Sequence, residues 1–142
     1  MGVIETRTGS FDPAGIATLA RMEWMARRAR YAEAAEVLLR WVYAYRDGGT
    51  AWDAFPEEWR VAARENGPSV VADLRSTIGS YPRRSDLATI TVPVVCTLGS
   101  RSGDYMRAIQ RSLRAVIPAA RLSEIEGAAH PVPSHAPPAF VE

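Results

Sequence analysis

Few side chains in this chain can carry proton chemistry near neutral pH. There are 2 histidines, His130 and His135, and one cysteine, Cys96. A histidine works as a general base only beside a nucleophile or a water, with another group fixing its ring. His130 closes the run Gly127-Ala128-Ala129-His130, whereas His135 lies in Ser134-His135-Ala136-Pro137, an ordinary loop setting. Cys96 sits inside an apolar run, Val94-Val95-Cys96-Thr97-Leu98, and reads as a packing residue. One cysteine excludes an internal disulfide and a thiolate cluster. No group of residues has metal-ligand spacing and no glycine-rich phosphate loop occurs, so neither metal nor cofactor is expected. The strained nucleophile turn G-x-S-x-G is missing, as are its Asp and Cys variants. Ser100, Ser102 and Ser134 do not stand on the strand–turn–helix that such a nucleophile needs.

The elements that must position His130 follow from hydrophobic spacing. Val3 to Thr6 reads as the tail of a strand. Asp12 can cap a helix that Pro13 opens, where the missing N–H costs nothing. Ile16, Leu19 and Ala20 begin its apolar stripe, and it runs to about Arg28. Ala35, Leu38, Leu39 and Val42 form the buried face of a second helix from Tyr31 to Tyr45. Asp47-Gly48-Gly49 ends it, and Thr50 caps a short segment around Trp52. Pro56 opens a helix containing Trp59, and Gly67-Pro68 starts another with Val71, Leu74 and Ile78 on one side.

After Tyr81-Pro82 the pattern changes. Val92 to Leu98 reads as a buried strand ending at Gly99, with Pro93 tolerated near its start. Met106, Ile109, Leu113 and Val116 mark an amphipathic helix stopped before Pro118. Ala120 to Ile125 is a second strand by position, and a last helix starts near Pro137-Pro138. Strand, helix, strand with short links implies parallel strands and a crossover helix.

Composition excludes several functions. The 142 residues are 47% hydrophobic and 23% charged, as in ordinary soluble domains. With 17 basic and 16 acidic residues the net charge is +1, so no nucleic-acid partner is expected. All the basic residues are Arg, which reads as compositional bias rather than a phosphate surface. The start of the chain lacks signal-peptide character, and no apolar run approaches the ~20 residues of a membrane helix. A soluble, cytoplasmic protein with no membrane partner is the expectation.

Asp86-Leu87, Ile90, Val92-Pro93-Val94, Gly99, Pro118, Ala120, Leu122, Ile125, Gly127-Ala128 and His130 together resemble the C-terminal end of the α/β-hydrolase family. The likeness covers Asp86 to Val141. It implies a partial α/β-hydrolase fold in three parts. Residues 1–11 would end the strand before the cap, 12–82 would form the helical cap, and 83–142 would hold the last parallel strands of the core. It also implies a catalytic triad with His130 as the histidine. For the acid, Ser102 occupies the position where members commonly have Asp, and Asp104 follows two residues later. Some members carry the acid after the strand before the cap, and Glu5 has that place. Asp104 also suits a helix N-terminus by its charge.

The resemblance implies covalent hydrolysis of a small to medium apolar ester or related C–O or C–X bond. The nucleophile would lie roughly 20 residues before Met1, given a helix and strand of usual length. The chain alone is therefore expected to be inactive. Trp24, Trp41, Trp52 and Trp59 all fall in the cap-like part, where they either line an apolar substrate pocket or pack the core. Glu57-Glu58 suits a helix first turn, and Arg83-Arg84 reads as a solvated linker. The alternative reading is a non-catalytic binding or interaction module, either a degenerate hydrolase remnant or a subunit whose open sheet edge pairs with another chain. The oligomeric state is left open.

Overall fold

The computed structural model describes residues 13–77, 82–130 and 133. Glu5, Asp12, Ile78 and His135, and the segments expected as a first strand and a last helix, lie outside them.

Among the described residues four helices come first. They are α1 (Pro13–Ala26), α2 (Tyr31–Val42), α3 (Glu57–Glu65) and α4 (Gly67–Thr77), with a 3₁₀ turn at Ala51–Ala54 between α2 and α3. Their core is Met22, Met25, Ala26, Ala34, Leu38 and Val71, flanked by Leu19, Tyr31, Val37, Trp41, Val42, Val70 and Leu74. The α1 stripe is therefore rotated from the expected one. Leu19 belongs to it, but Ile16 is 56% exposed and Ala20 faces solvent. Sulfur side chains carry the contact instead, since flexible Met22 and Met25 fill the space against α2.

Gly67 sets how closely α4 approaches α2. A Cβ there would stand 2.5 Å from the Tyr31 carbonyl oxygen and 2.9 Å from the Ala32 nitrogen, closer than any side chain tolerates. On the outer surface Glu36 bridges Arg40 (3.0 Å) and Arg64 (2.8 Å), tying α2 to α3.

α2 stops at Val42, three residues short of the expected end. After the Tyr43 C-cap, Ala44 and Tyr45 leave the helix to make bridges. Ala44 bridges Thr50, Tyr45 bridges Ser102, and the Arg46 N–H donates to the Arg101 carbonyl at 3.0 Å. Asp47-Gly48-Gly49 makes the reversal, with Gly48 and Gly49 at φ 96° and 78°, a left-handed geometry that glycine adopts without penalty. Thr50 caps the 3₁₀ turn as its sequence suggested, its hydroxyl accepting from the Trp52 N–H at 3.2 Å.

The second half contains α5 (Arg84–Ala88), β1 (Val94–Gly99), α6 (Asp104–Val116) and β2 (Ala120–Ile125). The short α5 was not expected, although Arg83 and Arg84 are exposed as a solvated linker would be. β1 and β2 pair in parallel, Val94 opposite Ala120 through to Gly99 opposite Ile125. The chain is thus of mixed α/β class, with α6 as the crossover. β1 buries Cys96, Leu98 and Gly99 while Val95 stays 65% exposed. Among the described residues, no helix is long and apolar enough to cross a membrane.

Between the halves runs a seam of aromatic and polar contacts. Trp41 of α2 stacks on Tyr105 of α6 with ring centroids 4.5 Å apart, and the Tyr105 hydroxyl donates to the Val42 carbonyl at 2.9 Å. The Arg101 guanidinium lies 3.9 Å over the Tyr45 ring and reaches Asp47 at 3.3 Å. Burial holds the Tyr105 phenol well above its ordinary pKa, with Tyr43 adding to the effect, so this donor stays protonated.

Candidate functional site

Side chains of mixed chemistry converge where β1 and β2 end. The carboxyl ends of parallel strands, with the loops that leave them, are where such sheets form ligand crevices. Two loops depart here, residues 100–103 after β1 and 126–130 after β2, and they are sewn together by backbone hydrogen bonds. The Ser100 N–H donates to the Ile125 carbonyl and the Arg101 N–H to the Ala128 carbonyl, both at 2.9 Å. Ser100 Oγ accepts from the Gly127 N–H at 2.9 Å. Arg107 of α6 then holds the corner, donating to the Ser100 carbonyl and pairing with Glu124 at 3.1 Å.

The small residues around His130 are required by this geometry. Ala128 and Ala129 are fully buried, and Gly127 takes φ 72° in the turn. Gly99 lies directly under the loop. A Cβ on it would stand 2.4 Å from the Ala128 carbonyl oxygen and 2.6 Å from that of Ala129. The Gly-Ala-Ala-His motif and the glycine ending β1 are therefore two sides of one close contact, and that contact delivers His130.

His130 is partly buried and shares a cleft of about 150 Å³ with Thr97, Leu98, Gly99, Ser102, Met106, Gln110 and Pro133. From the helical half, the Tyr43 ring faces it at a centroid distance of 6.0 Å. Tyr43 in turn meets Phe55 edge-on at 5.1 Å, and Phe55 touches both Trp52 (6.3 Å) and Trp59 (5.8 Å). Trp52 is 1% exposed and belongs to the interior. Trp59 is half exposed, Trp41 is committed to the seam, and Trp24 lies on the surface with the Arg28 guanidinium 4.0 Å above it. The four tryptophans thus do not line one pocket.

Desolvation holds the His130 imidazole below its ordinary pKa, so it is neutral at physiological pH. A neutral ring offers one donor and one acceptor, as proton transfer requires. The linkage sign follows. With the folded pKa below the unfolded one, the unfolded chain takes up the proton first, so stability falls as pH drops through about 6.5. The carboxylates of Glu23, Glu36, Asp47 and Glu124 are held low by arginine hydrogen bonds, and their losses come at more acid pH. Urea titrations between pH 7.5 and 5 should show the His130 loss, and His130→Gln should flatten that window while leaving the acid limb. A His130→Gln profile matching wild type would contradict the assigned burial.

The other residues singled out from sequence are placed differently. Asp104 is exposed in the first turn of α6 and is not among the residues lining the His130 cleft, and its position matches a helix N-terminal acid. Glu5 lies outside the described residues. Ser102, at the position where the resemblance expects an acid, is fully buried and lines the cleft with His130. Its Oγ has no hydrogen-bond partner among the described residues. Among the same residues no carboxylate lines this cleft, and no group of His, Cys, Asp and Glu is arranged to hold a metal ion.

Three contributors were missed in the sequence. Ser100, which stands with Ser102 on the loop from β1 to α6 and not away from a strand–turn–helix as expected, ties the two loops together. Tyr43 shields His130, and Gln110 presents an amide to the cleft. The Gln110 Nε2 donates to the Thr97 carbonyl at 3.2 Å, which leaves its Oε1 buried without a partner among the described residues. Gln110 follows Met106 by one helical turn on α6, and that spacing is the only sequence signal that could have placed it. Neither protein-family models, nor curated proteins, nor solved structures yield a match to this chain.

Proposed function

We propose that this chain is the cap and C-terminal core portion of an α/β-hydrolase, with His130 as the histidine that moves the proton. The supporting observation is the delivery of a neutral, partly buried imidazole to the carboxyl ends of β1 and β2 by a loop resting on Gly99. Aromatic rings of the helical half lie on one side of it. That surrounding suits a small to medium apolar ester or a related C–O or C–X bond, because an apolar wall excludes water from the reacting bond.

In this reading a nucleophile supplied from outside these 142 residues attacks the substrate. From a Ser or Cys nucleophile His130 takes the proton and passes it to the departing alcohol, whereas an Asp nucleophile attacks as the carboxylate and the halide leaves without a proton. In both forms the neutral His130 then takes a proton from the water that hydrolyses the covalent intermediate. Glu5 or Asp104 is the candidate acid, and the exposure of Asp104 in α6 favours Glu5. Activity by the isolated chain is not expected, since nucleophile and oxyanion donors carry most of the rate.

The coding DNA in frame before Met1 tests the proposal. A G-x-S-x-G or G-x-D-x-G run roughly 20 codons upstream, by the usual lengths of a helix and a strand, supports it. The extended protein should then turn over a short-chain nitrophenyl ester, or a haloalkane for the Asp form, and His130→Ala should lower kcat about a thousandfold or more. A stop codon in frame with no such run, or full activity in His130→Ala, would overturn it.

A second reading, a non-catalytic binding module, is favoured by one observation. Ser102 and Gln110 leave buried polar atoms unpaired beside His130, and no carboxylate accompanies them among the described residues lining the cleft.

A further inference from the structure

Two buried polar groups in the His130 cleft are unexplained by the proton-transfer reading. Ser102 is 0% exposed with its Oγ unpaired, and Gln110 Oε1 is buried and unpaired, both among the described residues. Buried polar atoms without partners cost free energy, and their persistence asks for something that pairs with them. Gln110 is not free to turn away, because its Nε2 is held by the Thr97 carbonyl of β1. The Ser102 backbone is fixed as well. Its N–H donates to the Gly99 carbonyl at 3.0 Å, and its residue bridges Tyr45 across the seam.

The chemistry of the lining selects the occupant. Gln110 Oε1 only accepts, Ser102 Oγ donates and accepts, and neutral His130 does both. Thr97, Leu98, Gly99, Met106 and Pro133 complete the wall, so no charged side chain of the described residues lines it. A charged ligand would lose its hydration there without gaining a counter-charge. At about 150 Å³ the cleft is smaller than the pockets that enclose whole drug-sized ligands, so it fits a small group.

We propose that the cleft formed by β1, α6 and His130 binds a small uncharged group carrying both a hydrogen-bond donor and an acceptor, a primary carboxamide or an alcohol, through Gln110 Oε1 and Ser102 Oγ. The carboxamide N–H or alcohol O–H donates to Gln110 Oε1. The group's oxygen accepts from the Ser102 hydroxyl. This site needs no nucleophile and does not depend on the hydrolase reading.

Acetamide and acetate are nearly isosteric and differ in charge, which makes them suitable probes. Titrating the full chain with acetamide, followed by amide NMR shifts, should give saturable changes confined to Leu98, Ser102, Gln110 and His130. Acetate at equal concentration should give none there. Ser102→Ala should weaken acetamide about tenfold, the ordinary value of one hydrogen bond to a buried group. Because it removes an unpaired hydroxyl, the same variant without ligand should melt at or above the wild-type temperature. Gln110→Met, which keeps the length but removes the acceptor, should weaken acetamide by at least as much. Non-saturating shifts, equal binding of acetate, or wild-type acetamide affinity in Ser102→Ala would each overturn the assignment. So would a Ser102→Ala protein that melts well below wild type, since the hydroxyl would then already be paired.

Discussion

Gly99→Ala should destabilise the protein by about 3 kcal/mol, one of the largest losses available to the addition of a single methyl group. The added Cβ would meet backbone atoms, the carbonyls of Ala128 and Ala129 at 2.4 and 2.6 Å, and no side-chain rotation relieves such a clash. Relief needs the 126–130 loop to lift, which breaks the bonds from Arg101 N–H to the Ala128 carbonyl and from Gly127 N–H to Ser100 Oγ. The melting temperature should fall by roughly 10 °C for a chain of this size. Because the loop delivers His130, its imidazole should also hydrate, and its pKa should rise toward the ordinary value. The two readouts, thermal melting and the histidine titration by NMR, should move together. A Gly99→Ala protein with wild-type melting would mean that the loop does not rest on β1.

The second large effect is at Trp52. Trp52→Ala should cost about 4 kcal/mol, since it empties a large buried volume beneath the 3₁₀ turn. Trp52 is 1% exposed, but its Nε1 has no partner among the described residues, so part of its burial is already unfavourable. Trp52→Phe, which removes that N–H and keeps most of the ring, should therefore cost about 1 kcal/mol or less. Urea midpoints at unchanged m-value separate the two variants. Equal losses in both would mean that the indole N–H is paired, and that ring volume is not what holds the turn.

Several elements were legible because their signals are local. Pro13 at the start of α1, Pro56 before α3 and Gly67 at the start of α4 act through backbone geometry, and Thr50 before the 3₁₀ turn through its side-chain cap, all within one turn. The β1–α6–β2 unit was legible from the β-branched run, the apolar period of α6 and the length of the links. Features set by distant contacts were not legible. The end of α2 depends on Tyr45 meeting Ser102, 57 residues on, and the exposure of Ile16 depends on how α1 rolls on α2. At the site, the sequence pointed to His130 and to the small residues before it. It held no trace of Tyr43, whose approach is a matter of tertiary packing. Ser102 was noticed as a serine in the place of an acid and set aside as a nucleophile, and its complete burial was invisible, because serine carries no hydropathy signal.

The parallel pairing of β1 with β2 has a consequence for how the chain acquires its structure. Parallel strands cannot meet through a tight turn, so Val94 finds Ala120 only after α6 has formed and folded back. The loop-closure entropy of that step is lost before any ladder hydrogen bond is gained. α1 and α2, neighbours in sequence and packed along their lengths, face no such delay. The order of events should therefore run from the helical half to the sheet. Since the 126–130 loop is held by the ends of both strands, His130 reaches its position in the last step of folding.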